Sequence, residues 1–111
     1  MTLNYSNEFL TSPADEIITS FKNAACEGHV EQMDRLAIQN QAILQDMVEA
    51  DDYYAFRKAA EKGHLAVIER LVELAPDSVQ DMVEADDFYA FTQAATRGHL
   101  AVIDRLVELA P

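Results

Sequence analysis

Asp46 to Pro76 reads DMVEADDYYAFRKAAEKGHLAVIERLVELAP, and Asp81 to Pro111 reads DMVEADDFYAFTQAATRGHLAVIDRLVELAP. From Asp46 to Asp81, and at every position after, the offset is 35 residues. The same step back from Phe56, Ala59, Ala60, Gly63 and His64 falls on Phe21, Ala24, Ala25, Gly28 and His29. A third, more diverged copy therefore opens the chain, and self-similarity at such a period is the mark of a stacked array.

Each copy carries two helical patterns. In copy two, Tyr53, Phe56, Ala59 and Ala60 form one apolar stripe, and Gly63 supplies the left-handed residue that commonly ends a helix. Leu65, Val67, Ile68, Leu71, Val72, Leu74 and Ala75 then give a broad apolar face, with Glu69, Arg70 and Glu73 left for solvent. Pro76 cannot continue that helix. After Asp77 or Ser78, both good N-caps, Val79, Met82 and Val83 predict a third, short helix; copy one holds Ile43, Leu44, Met47 and Val48 in that place. Ser12-Pro13-Ala14-Asp15 reads as a helix start with Ser12 as cap.

A hairpin of this size cannot bury its apolar faces alone, so the copies should stack into a short all-α solenoid, for which about three units is the minimum. The expected organisation is a single domain, 1–111. It comprises an N-terminal extension (1–12), a diverged first repeat (13–45), a second repeat (46–80) and a third, apparently uncapped one (81–111).

At 111 residues the chain has one domain's worth of core. Its net charge of −12 repels phosphate backbones and anionic lipid, which argues against nucleic acid and membrane partners. No apolar run is long enough for a membrane span, and MTLNYSNEFLTSPADE lacks the features of a classical secretory signal. A cytoplasmic protein is the expectation. One cysteine, Cys26, permits neither an internal disulfide nor a four-cysteine metal site.

A first helix with two adjacent alanines, a Gly-His turn and a second helix of the type LxVIxxLxxL resembles the ankyrin repeat. Copies two and three match its AAxxGHL signature at Ala59 to Leu65 and Ala94 to Leu100, and the resemblance covers residues 13 to 111. It implies a right-handed-stacking solenoid of three ankyrin-like repeats. Two departures stand out: Tyr54-Ala55-Phe56-Arg57 and Tyr89-Ala90-Phe91-Thr92 replace the family's Thr-Pro-Leu-His opening, and the family's period is about 33. Ala75-Pro76-Asp77-Ser78 replaces the ending that leads into a β-hairpin finger, so a short helix is expected in place of the finger. The resemblance also implies a protein-binding role, and, since such arrays occur in intracellular bacteria and large viruses, a host-directed effector delivered to a host cell.

Catalysis finds no footing. His29, His64 and His99 lie 35 residues apart, so stacking separates neighbours by roughly 8 to 10 Å, too far to share a zinc ion. The resemblance makes this histidine a turn residue that hydrogen-bonds backbone. Cys26 and His29 form one nominal nucleophile–base pair, but no glycine-rich oxyanion loop accompanies them. With three glycines, each assigned to a helix end, no phosphate loop is available. No cofactor and no metal are expected, and the chain is read as not an enzyme. Phe21, Phe56 and Phe91 read as core. Asp51-Asp52 and Asp86-Asp87 read as solvated acids at the positive end of the first helix.

Copies two and three differ at six positions, Tyr53/Phe88, Glu69/Asp104 and four that share one side of the first helix: Arg57/Thr92, Lys58/Gln93, Glu61/Thr96 and Lys62/Arg97. Copy one has Lys22, Asn23, Cys26 and Glu27 there. Of eight basic residues, Arg35, Arg70 and Arg105 recur in the second helix, where a pair such as Arg70 with Glu73 is worth little. The other five are Lys22, Arg57, Lys58, Lys62 and Arg97, all on the variable side. In an ankyrin-like array that side lines the concave surface, where solenoids bind partners. The expected site comprises Lys22, Asn23, Tyr54, Arg57, Lys58, Glu61, Lys62, Tyr89, Thr92, Gln93, Thr96 and Arg97. The cations stand at its centre and the two tyrosines at its rim, for a protein segment presenting acidic or hydrogen-bonding groups. The alternative is a self-associating or array-building segment, a fragment of a longer repeat protein or a homo-oligomer, acting through the apolar outward face of the third repeat.

Overall fold

The computed structural model describes residues 12–110. The expected extension, apart from Ser12, and Pro111 lie outside them. The described residues are helical, with no strand: α1 (Pro13–Glu27), α2 (Val30–Gln39), α3 (Leu44–Lys62), α4 (Leu65–Leu74), α5 (Val79–Thr96) and α6 (Leu100–Leu109), with 3-10 turns at Gln41–Ile43 and Pro76–Ser78. Helices α1, α3 and α5 pack side by side as one layer, and α2, α4 and α6 stack behind them. The stack is elongated, 55 × 25 × 22 Å with a radius of gyration of 15.1 Å, against about 13 Å for a compact globule of similar length.

The alanine pairs and the Gly-His turn form one device. The His29 N–H donates to the Ala24 carbonyl (2.8 Å) and the Gly28 N–H to the Ala25 carbonyl (3.2 Å), and both bonds recur from His64 and Gly63 to Ala59 and Ala60. These are the paired bonds of a Schellman helix end. The alanines themselves are buried, and their small side chains let neighbouring first helices approach closely. The histidine's backbone hydrogen bond is thus made by its own N–H. Its ring does something else: a methyl built on Gly28 would stand 2.8 Å from Cε1 and Nδ1 of His64, and one on Gly63 would stand 2.7 Å from Nδ1 of His99. Each imidazole caps the glycine of the preceding repeat. Gly98 has nothing within 4 Å.

A second inter-repeat contact links the outer layer. Arg70 Nε donates to Asp34 at 2.6 Å and Arg105 Nε to Glu69 at 2.9 Å, while the expected pairs within a repeat, Arg70 with Glu73 and Arg105 with Glu108, close at 3.1 and 3.2 Å.

The expected short helix is present, as residues 44–49 and again as 79–84. It is separated from the first helix of its repeat by a sharp break inside α3 and α5. Asp51, Asp52 and Tyr53 have φ of 54°, 57° and 60°, and Asp86, Asp87 and Phe88 have 54°, 54° and 61°. A left-handed conformation costs an L residue roughly 1–2 kcal/mol, with aspartate among the better tolerated. The Asp-Asp pairs are therefore the turn itself, and not merely acids at a helix end.

Two local expectations fail. Ser12 caps α1 through its hydroxyl, accepting from the Asp15 N–H at 3.1 Å, but Ser78 does not cap α5. Its side chain is buried and accepts instead from Gln45 Nε2 at 2.8 Å, across the junction between repeats. Phe21 and Phe56 are fully buried, whereas Phe91 is 39% exposed. The following repeat covers the first two, and no repeat among the described residues follows the third.

Candidate functional site

The variable side of the first helices carries a continuous ladder of cations and rings. Lys22 on α1 pairs with the Asp51 carboxylate and lies 5.2 Å over the ring of Tyr54. The Arg57 guanidinium lies 5.9 Å from the Tyr54 centroid and 5.0 Å from that of Tyr89. Lys58 sits over the same two rings at 5.7 and 5.2 Å. Each such contact is worth about 0.5–1 kcal/mol where water has access, and their value here lies in holding both rings in fixed orientations.

Carboxylates close the ladder. Arg57 Nη1 is 3.6 Å from Asp86. Its Nε and Nη2 donate to the Asp52 and Asp51 carbonyls at 2.8 and 3.0 Å, clamping the left-handed turn of its own repeat. Lys58 donates to Glu61 and to Tyr89 Oη, each at 3.0 Å; Tyr89 donates to Glu61, and Arg97 Nη2 reaches Glu61 at 2.9 Å. The Tyr89 hydroxyl holds the Glu61 carboxyl below its ordinary value, outweighing burial, with help from Lys58 and Arg97. Tyr89 and Glu61 in turn push the Lys58 ammonium up. Lys22 holds Asp51 down.

Of the twelve expected residues, Lys22, Tyr54, Arg57, Lys58, Glu61, Tyr89 and Arg97 come together. Asn23, Lys62, Thr92 and Thr96 are exposed beside them and Gln93 is half-buried; the Thr96 hydroxyl donates to the Thr92 carbonyl at 2.8 Å. Two features differ from the expectation. The tyrosines stand between the cations, half-buried, rather than at a rim. The cations are not free: the side chains of Lys22 and Arg57 are only 18% and 13% exposed, and only Lys62 of the five lacks a partner among the described residues.

Asp51 and Asp86 escaped the sequence reading as members of this site. A signal was there: Lys22 to Asp51 and Arg57 to Asp86 are the same step of 29 residues. These two first-helix cations each reach forward to the turn of the following repeat. Thr92 ends the series.

Away from the ladder, the His29 Nδ1 lies 3.4 Å from the Glu27 carboxylate, and Cys26 is half-buried. Among the described residues no group of three or more His, Cys, Asp and Glu is placed to hold a metal ion. No described helix is long and apolar enough to cross a membrane.

No protein-family model and no curated protein matches the sequence. A solved structure does. The X-ray structure of an ankyrin repeat family protein from Legionella pneumophila is similar at a TM-score of 0.79 and 42% sequence identity, over 85% of this chain. The chain carries ankyrin repeats. It spans 29% of that relative's length. Ankyrin repeats generally mediate protein–protein interaction, and proteins built of them are typically not enzymes.

Proposed function

We propose that this ankyrin array is a non-catalytic binding module that takes a protein partner on the concave face of its first helices. The observation that carries this reading is the ladder: Tyr54 and Tyr89 held in place by Lys22, Arg57 and Lys58 and edged by exposed polar groups. Fixed aromatic rings surrounded by hydrogen-bonding side chains are what energetically dominant interface positions consist of. Because the inner cations are already paired, attraction for acidic groups on the partner falls to Lys62 and to Arg97, whose side chain is 52% exposed.

Affinity capture from cell extract tests this, comparing the native chain with Lys62→Glu/Thr96→Glu/Arg97→Glu. Reversing Arg57 or Lys58 is a poorer test, since Arg57 holds both its own turn and Asp86 and Lys58 holds both Glu61 and Tyr89, whereas Arg97, 52% exposed, gives up one of the three contacts to Glu61. A protein held by the native chain and lost by the triple variant supports the concave face; equal capture by both removes it. The host-directed role implied by the family resemblance belongs to the same proposal, and a translocation reporter fused to the chain and read inside infected cells tests it.

A second reading, self-association, is favoured by one observation. On the outward face of the third repeat Leu100 is 72% exposed, Val107 58% and Phe91 39%.

A further inference from the structure

Two contacts recur at both internal junctions: an imidazole on the preceding glycine, and an arginine on the preceding acid. The receiving half of each is unfilled by the described residues on the outward face of the third repeat. Gly98 has nothing within 4 Å, and Asp104, equivalent to Asp34 and Glu69, is exposed with no partner among the described residues. The presenting half of each is unfilled on the first repeat among the described residues. The side chain of His29 is 57% exposed, with only a 3.4 Å contact to Glu27. Arg35 is exposed and unpaired among the described residues, although Arg70 and Arg105 each hold two carboxylates.

We propose that copies of this chain stack head to tail, with His29 of one copy on Gly98 of the next and Arg35 on Asp104. This rests on the self-association reading above and adds the surface that fills the outward face.

Two further positions fit the first repeat specifically. At the second junction Arg57 and Glu61 reach forward to Asp86 and to Tyr89; in the third repeat these positions are Thr92 and Thr96, which ask for neither. The first repeat offers neither the turn nor the tyrosine: α1 runs unbroken from Pro13, with Glu16 in helical conformation at the position of the aspartate, and Thr19 replaces the tyrosine. Another repeat of the second or third kind would bring a turn and a tyrosine with nothing to meet them. Ser20 and Gln32 stand where the internal repeats bury Ala55 and Val67, so the contact between copies is weaker than an internal junction. A contact between two different faces leaves one of each open and grows into chains instead of stopping at a dimer.

Sedimentation of the full 111-residue chain, from about 10 µM to about 1 mM to cover weak association, should show a weight-average mass that rises past that of a dimer. Asp104→Arg and Arg35→Asp each place like charges together, and each alone should weaken association at least about tenfold. Both residues are exposed and unpaired, so neither change should alter the melting temperature. The first change makes the molecule less negative, which by itself would favour association, so a loss there cannot come from net charge. In an equimolar mixture the two variants meet with opposite charges at every junction of an alternating stack, and the mixture should regain the native mass. A mass that plateaus at dimer and ignores position 35 would keep self-association and overturn this pairing; a monomer throughout would remove both, as would a mixture that stays dissociated.

Discussion

Replacing Gly63 with alanine separates two reasons for a glycine that are usually confounded. Gly63 and Gly98 share a left-handed backbone, with φ of +79° and +76°. An L residue there costs about 1–2 kcal/mol, of which the stiffer unfolded chain returns about 0.4–1 kcal/mol. Gly98→Ala should therefore destabilise by about 1 kcal/mol. At Gly63 the new methyl would also stand 2.7 Å from Nδ1 and 2.9 Å from Cε1 of His99, where ordinary contact begins at 3.4 Å. The ring must retreat, and overpacking of this kind adds about 1–3 kcal/mol. With about 4 °C or more per kcal/mol at this chain length, Gly98→Ala should melt about 4 °C below the native chain and Gly63→Ala roughly 8 °C or more below it. His99→Ala in the Gly63→Ala background should recover the excess, a coupling of about 1–3 kcal/mol, while His99→Ala and Gly98→Ala should simply add. Thermal and urea unfolding followed by circular dichroism at low micromolar concentration, where copies are apart, measures the native chain and all five variants. Equal losses at Gly63 and Gly98, or no coupling with His99, would refute the seating of the ring on the glycine.

Arg57→Ala removes two hydrogen bonds from the carbonyls of a left-handed turn and should cost about 1–3 kcal/mol in urea unfolding, whereas Thr92→Ala, at the equivalent exposed position, should stay within about 0.5 kcal/mol. Glu61 has its carboxyl held below the ordinary value of 4.5 by Tyr89 first; the stability this supplies is complete above that value and lost as pH falls through the lower folded value. Glu61→Gln should thus flatten the decline of melting temperature below pH 4.5, with no change in slope near neutrality. Ala60→Leu, at a fully buried position between first helices, should cost about 1–3 kcal/mol, and Ala95→Leu, its exposed equivalent, within about 0.5 kcal/mol by the same unfolding assay.

Much of the fold was legible because helix punctuation is local. Ser12, the Gly-His turns and Pro76 mark ends through backbone chemistry that needs no neighbour, and the 35-residue period shows which ends are equivalent. The left-handed turns were not legible, since Asp51-Asp52-Tyr53 contains no glycine or asparagine to announce positive φ. Ser78 misled because a good capping side chain is also a good buried hydrogen-bond partner, and only the packed junction with Gln45 decides between them. Phe91 shows that a periodic apolar residue is core only where something covers it. For the site, comparing copies found the variable side and most of its members. It could not show that the cations are already engaged, because Asp51 and Asp86 approach from a neighbouring repeat and the approach is set by stacking register. The ring-on-glycine contact was hidden for the same reason.

Hydrogen–deuterium exchange of the native chain with and without its captured partner bears most directly on where binding occurs. A partner on the concave face should slow exchange in residues 54–62 and 89–97, the segments that carry the tyrosine–cation ladder, and leave 65–74 and 100–109 unchanged. Slowing confined to 65–74 and 100–109 would place the partner on the opposite layer and contradict the ladder as the binding surface.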